Sequence, residues 1–310
     1  MTSIVVPVYN EEESLSVFYS TLKNALKDIE EKTEIIFVDD GSVDTSLPIL
    51  KDLSKKDSSV RVYSFRTNVG KAEALALGFQ KAKGNSIVTL DADLQDDPFE
   101  ITNLISKLHS GFDLVCGYRK DRKDSFKKIL SSKLFNTLAR VFWGLSLHDY
   151  NCGLKAFKKE AALSITLYGG FHRFIPLLVY QEGFSVTEEP VKHHTRKYGK
   201  SKYGFSKIWK DLPDIFTMLF LARYSKRPLH FFGTIGIFMF FIGFLILFYL
   251  TIVWFSGQSI GERPLLLFGI LLFLSGLQVF MSGFVAELFI NLTNKREMNL
   301  PLKYSTDNNT

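Results

Sequence analysis

Two carboxylates one residue apart, Asp91 and Asp93, followed by the amide of Gln95, close an apolar run from Ser86 to Leu90. The run reads as a buried strand. At the carboxyl end of a strand in an open α/β sheet, such groups face the crevice where ligands bind. Side chains at i, i+2 and i+4 of an extended segment share one face. Asp91, Asp93 and Gln95 would then offer three oxygens to one hard cation. Mg2+ and Mn2+ take oxygen ligands and share them with phosphate. The expected chemistry is a divalent ion, Mg2+ or Mn2+, clamping a diphosphate. A solvated acidic loop capping a helix near Phe99 is the plainer reading of so short a pattern, and the rest of the chain decides between them.

Basic residues add a second kind of chemistry. Arg119 and Arg122 follow an apolar run from Asp113 to Gly117, where two guanidiniums can hold a phosphate in a bidentate way. Most lysines of the helix that follows read as an ordinary solvated face. His148 reads as a loop residue rather than a base. His193 and His194 lack a cysteine or third histidine at ligand spacing, so a zinc site is set aside. A flexible basic loop closing over phosphates fits that stretch better, with Arg196, Ser201 and Lys202 as its candidates.

The elements that would position these groups alternate. Strands are expected at Thr2 to Val8, Glu34 to Val38, Val60 to Phe65 and Ser86 to Leu90. Helices are expected from about Leu15 to Ile29, through Leu50 with Asp44 or Thr45 as cap, and through Lys81. Short strand–helix alternation argues a mostly parallel sheet covered on both faces. Polar clusters then fall at one sheet edge: Asn10-Glu11, Asp39-Asp40 and Asp91-Asp93. Carboxylates there suit a base and ribose as well as a metal. No G-x-G-x-x-G follows the first strand, so a dinucleotide fold is set aside.

The net charge is +6, and the basic residues matter by position more than by total, so no nucleic-acid partner is expected. Cys116 and Cys152 make neither a disulfide framework nor a zinc site and read as small buried residues in a reducing compartment. Met1-Thr2-Ser3 runs straight into Ile4-Val5-Val6, so no signal peptide is expected. Beyond residue 230 the character changes. His230 to Phe255 and Leu265 to Ala286 carry no Asp, Glu, Lys or Arg. Each is long enough to cross a hydrocarbon core of about 30 Å. A pair of buried helices in a soluble protein is the weaker reading. Arg223, Lys226 and Arg227 precede the first span, and Lys295 and Arg296 follow the second. Positive flanks stay inside, so the large domain and both termini are expected in the cytoplasm, on the inner membrane. Gly236 and Gly243, and Gly269, Gly276 and Gly283, recur every seven residues. Such a stripe lets backbones approach, within the hairpin or between subunits. Phe205, Ile208, Trp209, Leu212, Ile215, Phe216 and Leu219 read as an interfacial amphipathic segment, interrupted at Pro213.

Pro7-Val8-Tyr9-Asn10-Glu11-Glu12, Val38-Asp39-Asp40-Gly41-Ser42, Asn68-Val69-Gly70-Lys71 and the segment from Asp91 to Pro98 together resemble the inverting family 2 glycosyltransferases of GT-A fold. The nearest branch is the dolichyl-phosphate mannose synthase-like enzymes, including bacterial polyprenyl-phosphate glycosyltransferases with a two-helix C-terminal anchor. The resemblance runs from about Thr2 to Arg296. It implies that Pro7, Tyr9, Glu11, Asp39, Asp40, Lys71 and Asp91 bind the nucleotide, and that Asp91, Asp93 and Gln95 hold metal and diphosphate. It implies an acceptor-phosphate role for Arg119, with Arg122, Arg196, Ser201 and Lys202 beside it. His148 to Phe157 resembles the family's Asp-x-x-x-Gly-[Phe/Leu]-[Arg/Lys] segment, which makes Asp149 the next catalytic candidate after Asp93 and Arg119. Some relatives carry the acid four residues later, where this chain has Gly153, so whether Asp149 acts as a base or positions the acceptor stays open.

The resemblance implies an α/β GT-A domain over residues 1–203, amphipathic juxtamembrane helices over 204–228, a transmembrane hairpin over 229–292 (about 230–255 and 265–288) and a tail over 293–310. The implied reaction moves a hexose from a UDP- or GDP-sugar, UDP-glucose first, to undecaprenyl phosphate. A homo-oligomer, tetramer included, is implied as well. A processive polysaccharide synthase would carry Gln-x-x-Arg-Trp and more spans. A non-catalytic membrane scaffold would not need its acidic and basic motifs intact.

Overall fold

The computed structural model describes residues 1–120, 144–195, 220, 224 and 227–293. The chain divides into two compact units, Met1–Ile215 and Phe216–Thr310.

In the first unit, β-branched runs make strands β1 (Thr2–Val8), β2 (Thr33–Asp39), β3 (Val60–Ser64) and β4 (Ser86–Thr89). Most of β1 and β2 is buried rather than alternating, as in a sheet covered on both faces. Helices α1 (Leu15–Ala25), α2 (Ser46–Lys56), α3 (Lys71–Lys81) and α4 (Ile101–His109) make the crossovers. Each turns an apolar stripe inward: Leu15, Phe18, Leu22 and Ala25 in α1, and Ile101, Leu104, Ile105 and Leu108 in α4. Asp44 accepts from the Ser46 amide at 2.9 Å, so the expected acid does tie the start of α2. The second half adds β5 (Leu114–Arg119), β6 (Lys155–Lys158), α5 (Lys159–Leu163), α6 (Ile175–Gln181) and β7 (Val186–Val191). The sheet order is β3-β2-β1-β4-β6-β5-β7. β6 runs antiparallel between β4 and β5, and every other pairing is parallel.

One local expectation fails. The stretch after β4 is not extended. Ala92 and Asp93 lie in a turn, Leu94 takes a left-handed φ of 58°, and the Gln95 amide donates to Asp93 Oδ1 at 3.1 Å. The i, i+2, i+4 argument for one shared face therefore does not apply to Asp91, Asp93 and Gln95. A short polar side chain folding back on the backbone two residues on overrides the strand pattern.

The second unit holds α7 (Pro228–Phe255) and α8 (Pro264–Thr293), 28 and 30 residues long, with mean hydropathies of 2.6 and 2.2 in their most apolar parts. Both are long and apolar enough to cross a membrane. The glycine stripe serves the hairpin itself. A Cβ placed on Gly236 would lie 2.5 Å from the Phe280 nitrogen, and one on Gly276 2.3 Å from the Phe240 nitrogen. Gly243 meets Phe273 in the same way. Glu287 of α8 accepts from the Leu229 amide at 3.2 Å, giving a partner to one of the donors at the start of α7.

Candidate active site

Three loops at the carboxyl ends of β1, β2 and β4 form the crevice edge. Asp39 and Asp40 close β2. Asp39 is fully buried and accepts from the Ser64 hydroxyl at 2.7 Å. Asp40 accepts from Asn68 Nδ2 and the Val69 amide, both at 2.8 Å, and from the Gly70 amide at 3.0 Å. These bonds latch the loop that delivers Lys71 to the start of α3. Gly41 makes the approach feasible. Its φ is 66°, and a Cβ there would sit 2.4 Å from the Thr67 carbonyl carbon. On the β1 side, Asn10 Oδ1 accepts from the Val43 amide at 2.9 Å, and the Glu11 amide donates to Ser46 Oγ at 2.9 Å. Pro7, near the end of β1, and Tyr9, just after it, are half-buried.

Lys71 crosses to Asp91, with Nζ 2.6 and 2.7 Å from its two oxygens. Burial pushes the Asp91 carboxyl up, but the Lys71 ammonium, with a smaller contribution from Lys155, draws it down more strongly, and it stays below the usual carboxylate range. Asp91 is thus kept as an anion beside a cation. Gly153 comes so close that a Cβ would stand 2.7 Å from Asp91 Oδ2 and 2.9 Å from Asp96 Oδ2. An acid at this position would crowd both carboxylates.

The Asp91 loop is braced by the two histidines. The His194 amide donates to the Gln95 carbonyl at 2.7 Å, and His193 Nδ1 pairs with Asp96 Oδ1 at 3.2 Å. Their role is thus to hold the loop. No group of three His, Cys, Asp or Glu stands together among the described residues. Two hard carboxylates and an amide still suit Mg2+ or Mn2+ if phosphate oxygens complete the shell. The ammonium across both Asp91 oxygens shows that the position stabilises positive charge.

Arg119, at the end of β5, does not stand alone. Its Nε and Nη2 reach Asp149 Oδ2 and Oδ1 at 2.6 and 3.1 Å, with side-chain exposures of 15% and 3%. Burial works against the guanidinium charge, and Asp149 more than offsets it, so Arg119 is held more firmly protonated than usual. The Asn151 amide adds a bond to Asp149 Oδ1 at 3.1 Å. The two residues singled out separately in the sequence are one buried pair. His148 is exposed, stacks on Tyr118 at 5.2 Å and pairs with Glu188, as a loop residue does. Cys116 and Cys152 are buried, and burial drives the Cys116 thiol up to about 12, so neither is a nucleophile.

Lys71, Asp91, Asn151, Gly153, Lys155 and His172 border one narrow cavity. His172 was not singled out by sequence. Its only signal there is a polar pair, His172-Arg173, inside the apolar stretch from Phe171 to Ile175. Arg122, Arg196, Ser201 and Lys202 lie outside the described residues, as do most of the amphipathic stretch and the tail.

Residues 3–165 match the sequence model of glycosyl transferase family 2. The chain is 37% identical over 292 residues to a dodecaprenyl-phosphate galacturonate synthase from Rhizobium johnstonii, covering 92% of this chain and 86% of that protein. The chain belongs to glycosyl transferase family 2. This family 2 glycosyltransferase is also 34% identical over 286 residues to an undecaprenyl-phosphate 4-deoxy-4-formamido-L-arabinose transferase from Edwardsiella ictaluri, covering 92% and 87% of the two chains. Among solved structures, it shares its fold with Mycobacterium tuberculosis glucosyl-3-phosphoglycerate synthase. The complex with phosphoglyceric acid gives a TM-score of 0.55 at 18% identity, covering 72% and 79% of the two chains. The complex with Mn2+ and UDP-glucose gives 0.53 at 18% identity, covering 72% and 78%.

Proposed function

We propose that this family 2 glycosyltransferase moves a sugar from a nucleotide sugar to a polyprenyl phosphate, with inversion, at the cytoplasmic face of a membrane. The observation that carries the reading is the near full-length likeness to two polyprenyl-phosphate sugar transferases, a likeness that runs through the site and the apolar hairpin. The cationic flanks of the hairpin, Arg227 on one side and Lys295-Arg296 on the other, support the orientation.

A polyprenyl phosphate is already largely ionised at neutral pH, since the second pKa of a phosphate monoester is about 6. Attack on the anomeric carbon needs positioning more than proton removal. The bidentate Asp149–Arg119 pair suits that need: Asp149 fixes the plane of a guanidinium that meets the acceptor phosphate. Asp39 and Asp40 are assigned to the nucleotide together with Pro7, Tyr9 and Glu11 at the end of the neighbouring strand. Asp91, Asp93 and Gln95 would hold a divalent ion, which supplies positive charge for the departing nucleoside diphosphate. Lys71 adds a fixed ammonium beside the same oxygens. Arg122, Arg196, Ser201 and Lys202 are assigned to phosphates on motif alone. The donor sugars to test first are UDP-glucose and, given the first relative, UDP-galacturonate.

The test is transfer in detergent from radiolabelled UDP- and GDP-sugars to undecaprenyl phosphate, with Mg2+ or Mn2+. One metal-dependent labelled lipid is expected. Asp93→Asn should abolish it while leaving the protein in the membrane fraction. Near wild-type activity of that variant would overturn the metal assignment, and label in polymer would favour a processive synthase.

A further inference from the structure

The segment from Gly144 to Gly153 carries Asp149, and the sheet holds it at both ends. Near its C-terminal end, the Thr89 hydroxyl of β4 donates to the Gly153 carbonyl at 2.8 Å. Tyr150, buried, donates its hydroxyl to the Leu145 carbonyl at 2.6 Å and closes the segment on itself. The part before Asp149 is held from β7, the last strand of the sheet. The His148 amide donates to Glu188 Oε2 at 2.7 Å, across 40 residues of chain. His148 Nδ1 meets the other oxygen of the same carboxylate, and the Tyr118 ring of β5 stacks on the imidazole. The Glu188 side chain is 15% exposed, against 78% for that of His148.

The two contacts on Glu188 differ in weight. A bond from a backbone amide to an ionised carboxylate is charge-assisted, and Glu188 is largely withdrawn from water. An ion pair with an imidazole as exposed as that of His148 is worth little. The amide is therefore the contact that matters. It belongs to the residue directly before Asp149, so it fixes the backbone from which the Asp149 carboxylate reaches Arg119 Nε and Nη2 at 2.6 and 3.1 Å. Two parallel bonds tolerate little displacement, and a misplacement of about 1 Å can cost a hundredfold at a reacting site. We propose that Glu188 is a positioning residue for the Arg119–Asp149 fork, acting through the His148 amide rather than the imidazole, and that it thereby sets the affinity for the acceptor phosphate. The second half of the inference rests on the acceptor reading above. The first half rests on the contacts alone.

The experiment measures transfer kinetics of the full-length protein in detergent with Mg2+, undecaprenyl phosphate and the donor that the transfer assay selects. Glu188→Ala should raise the KM for undecaprenyl phosphate about tenfold, keep the donor KM within about twofold and lower kcat by less than about threefold. Glu188→Val, which favours a strand and so preserves β7, should match it. Glu188→Gln, whose side-chain oxygen still accepts from the His148 amide, should recover most of the loss. His148→Ala, which keeps that amide, should stay close to wild type. A loss shared by both substrates would mark a merely structural role and overturn the inference. So would Glu188→Gln or His148→Ala as impaired as Glu188→Ala. Thermal unfolding supplies a second test that needs no substrate. Glu188→Ala, Arg119→Lys and the double variant form a cycle, in which the double variant should lose less than the sum of the two singles. Additive losses would overturn the inference. Wild type that makes no lipid-linked sugar would remove the polyprenyl-phosphate reading, and the cycle would then decide by itself whether Glu188 positions the fork.

Discussion

The Arg119–Asp149 pair shows how much a single contact changes the reading of a residue. Sequence places both at the site, but as separate actors. In the structure they form a fork at 2.6 and 3.1 Å in a setting where Asp149 is nearly inaccessible. Removing one partner of a buried pair leaves the other charge uncompensated, at a cost of about 3–5 kcal/mol. Arg119→Ala should therefore lower the unfolding temperature strongly. The double variant Arg119→Met, Asp149→Leu should be more stable than Arg119→Ala alone, while neither transfers sugar. Thermal unfolding and transfer measured on the same preparations check both halves. A double variant less stable than the single would mean that the pair is not the electrostatic unit described. Arg119→Lys tests the fork itself, since an ammonium offers a single nitrogen where the guanidinium offers two in one fixed plane.

At the level of elements, Glu34 ties three segments together. It sits near the start of β2, is buried, and accepts from Ser3 Oγ of β1 at 2.6 Å, Arg61 Nη1 of β3 at 2.8 Å and the Lys83 amide at 2.7 Å. Burial raises its pKa, but the bonds from Ser3, Lys83 and Arg61 outweigh it, and the folded-state pKa lies below the ordinary value. A carboxylate lowered on folding contributes stability above its unfolded pKa of about 4.3 and loses it as pH falls through the folded value. Wild type should thus lose stability on acidification below about pH 5, and Glu34→Gln should be weaker at pH 7 but show a flatter acid limb. Unfolding temperatures measured from neutral pH downward give the comparison, and parallel curves would refute it. The parallel strands β1 to β4 were legible because their runs are apolar and bounded by turn residues. β6 was not, because Lys155-Ala156-Phe157-Lys158 is four residues long with a lysine at each end. The Asp91–Gln95 turn was misread as extended because a local backbone bond outweighs alternation. The His193 and His194 braces depend on an approach across nearly a hundred residues, which no local pattern encodes.

At the scale of the whole molecule, the two units depend on different forces. The first is held by a sheet buried on both faces, and the second by close backbone contact along its glycines. Gly276→Leu would drive a side chain into the backbone at Phe240 and should separate α7 from α8. The hairpin should then unfold at lower temperature in detergent, while nucleoside-diphosphate affinity, which the proposed function assigns to the first unit, stays within about twofold. A matching loss of nucleotide affinity would show that the units are not independent. The sheet order has a kinetic consequence of its own. β5 neighbours only β6 and β7, and β6 alone joins it to β4. While the chain emerges from a ribosome, β1 to β4 can pair at once, but β4 keeps an open edge and β5 has no place to dock until Lys158 has been made. At roughly 5–20 residues per second that interval lasts several seconds. A chaperone, or a pause in synthesis, would act in that window, before the hairpin has been translated.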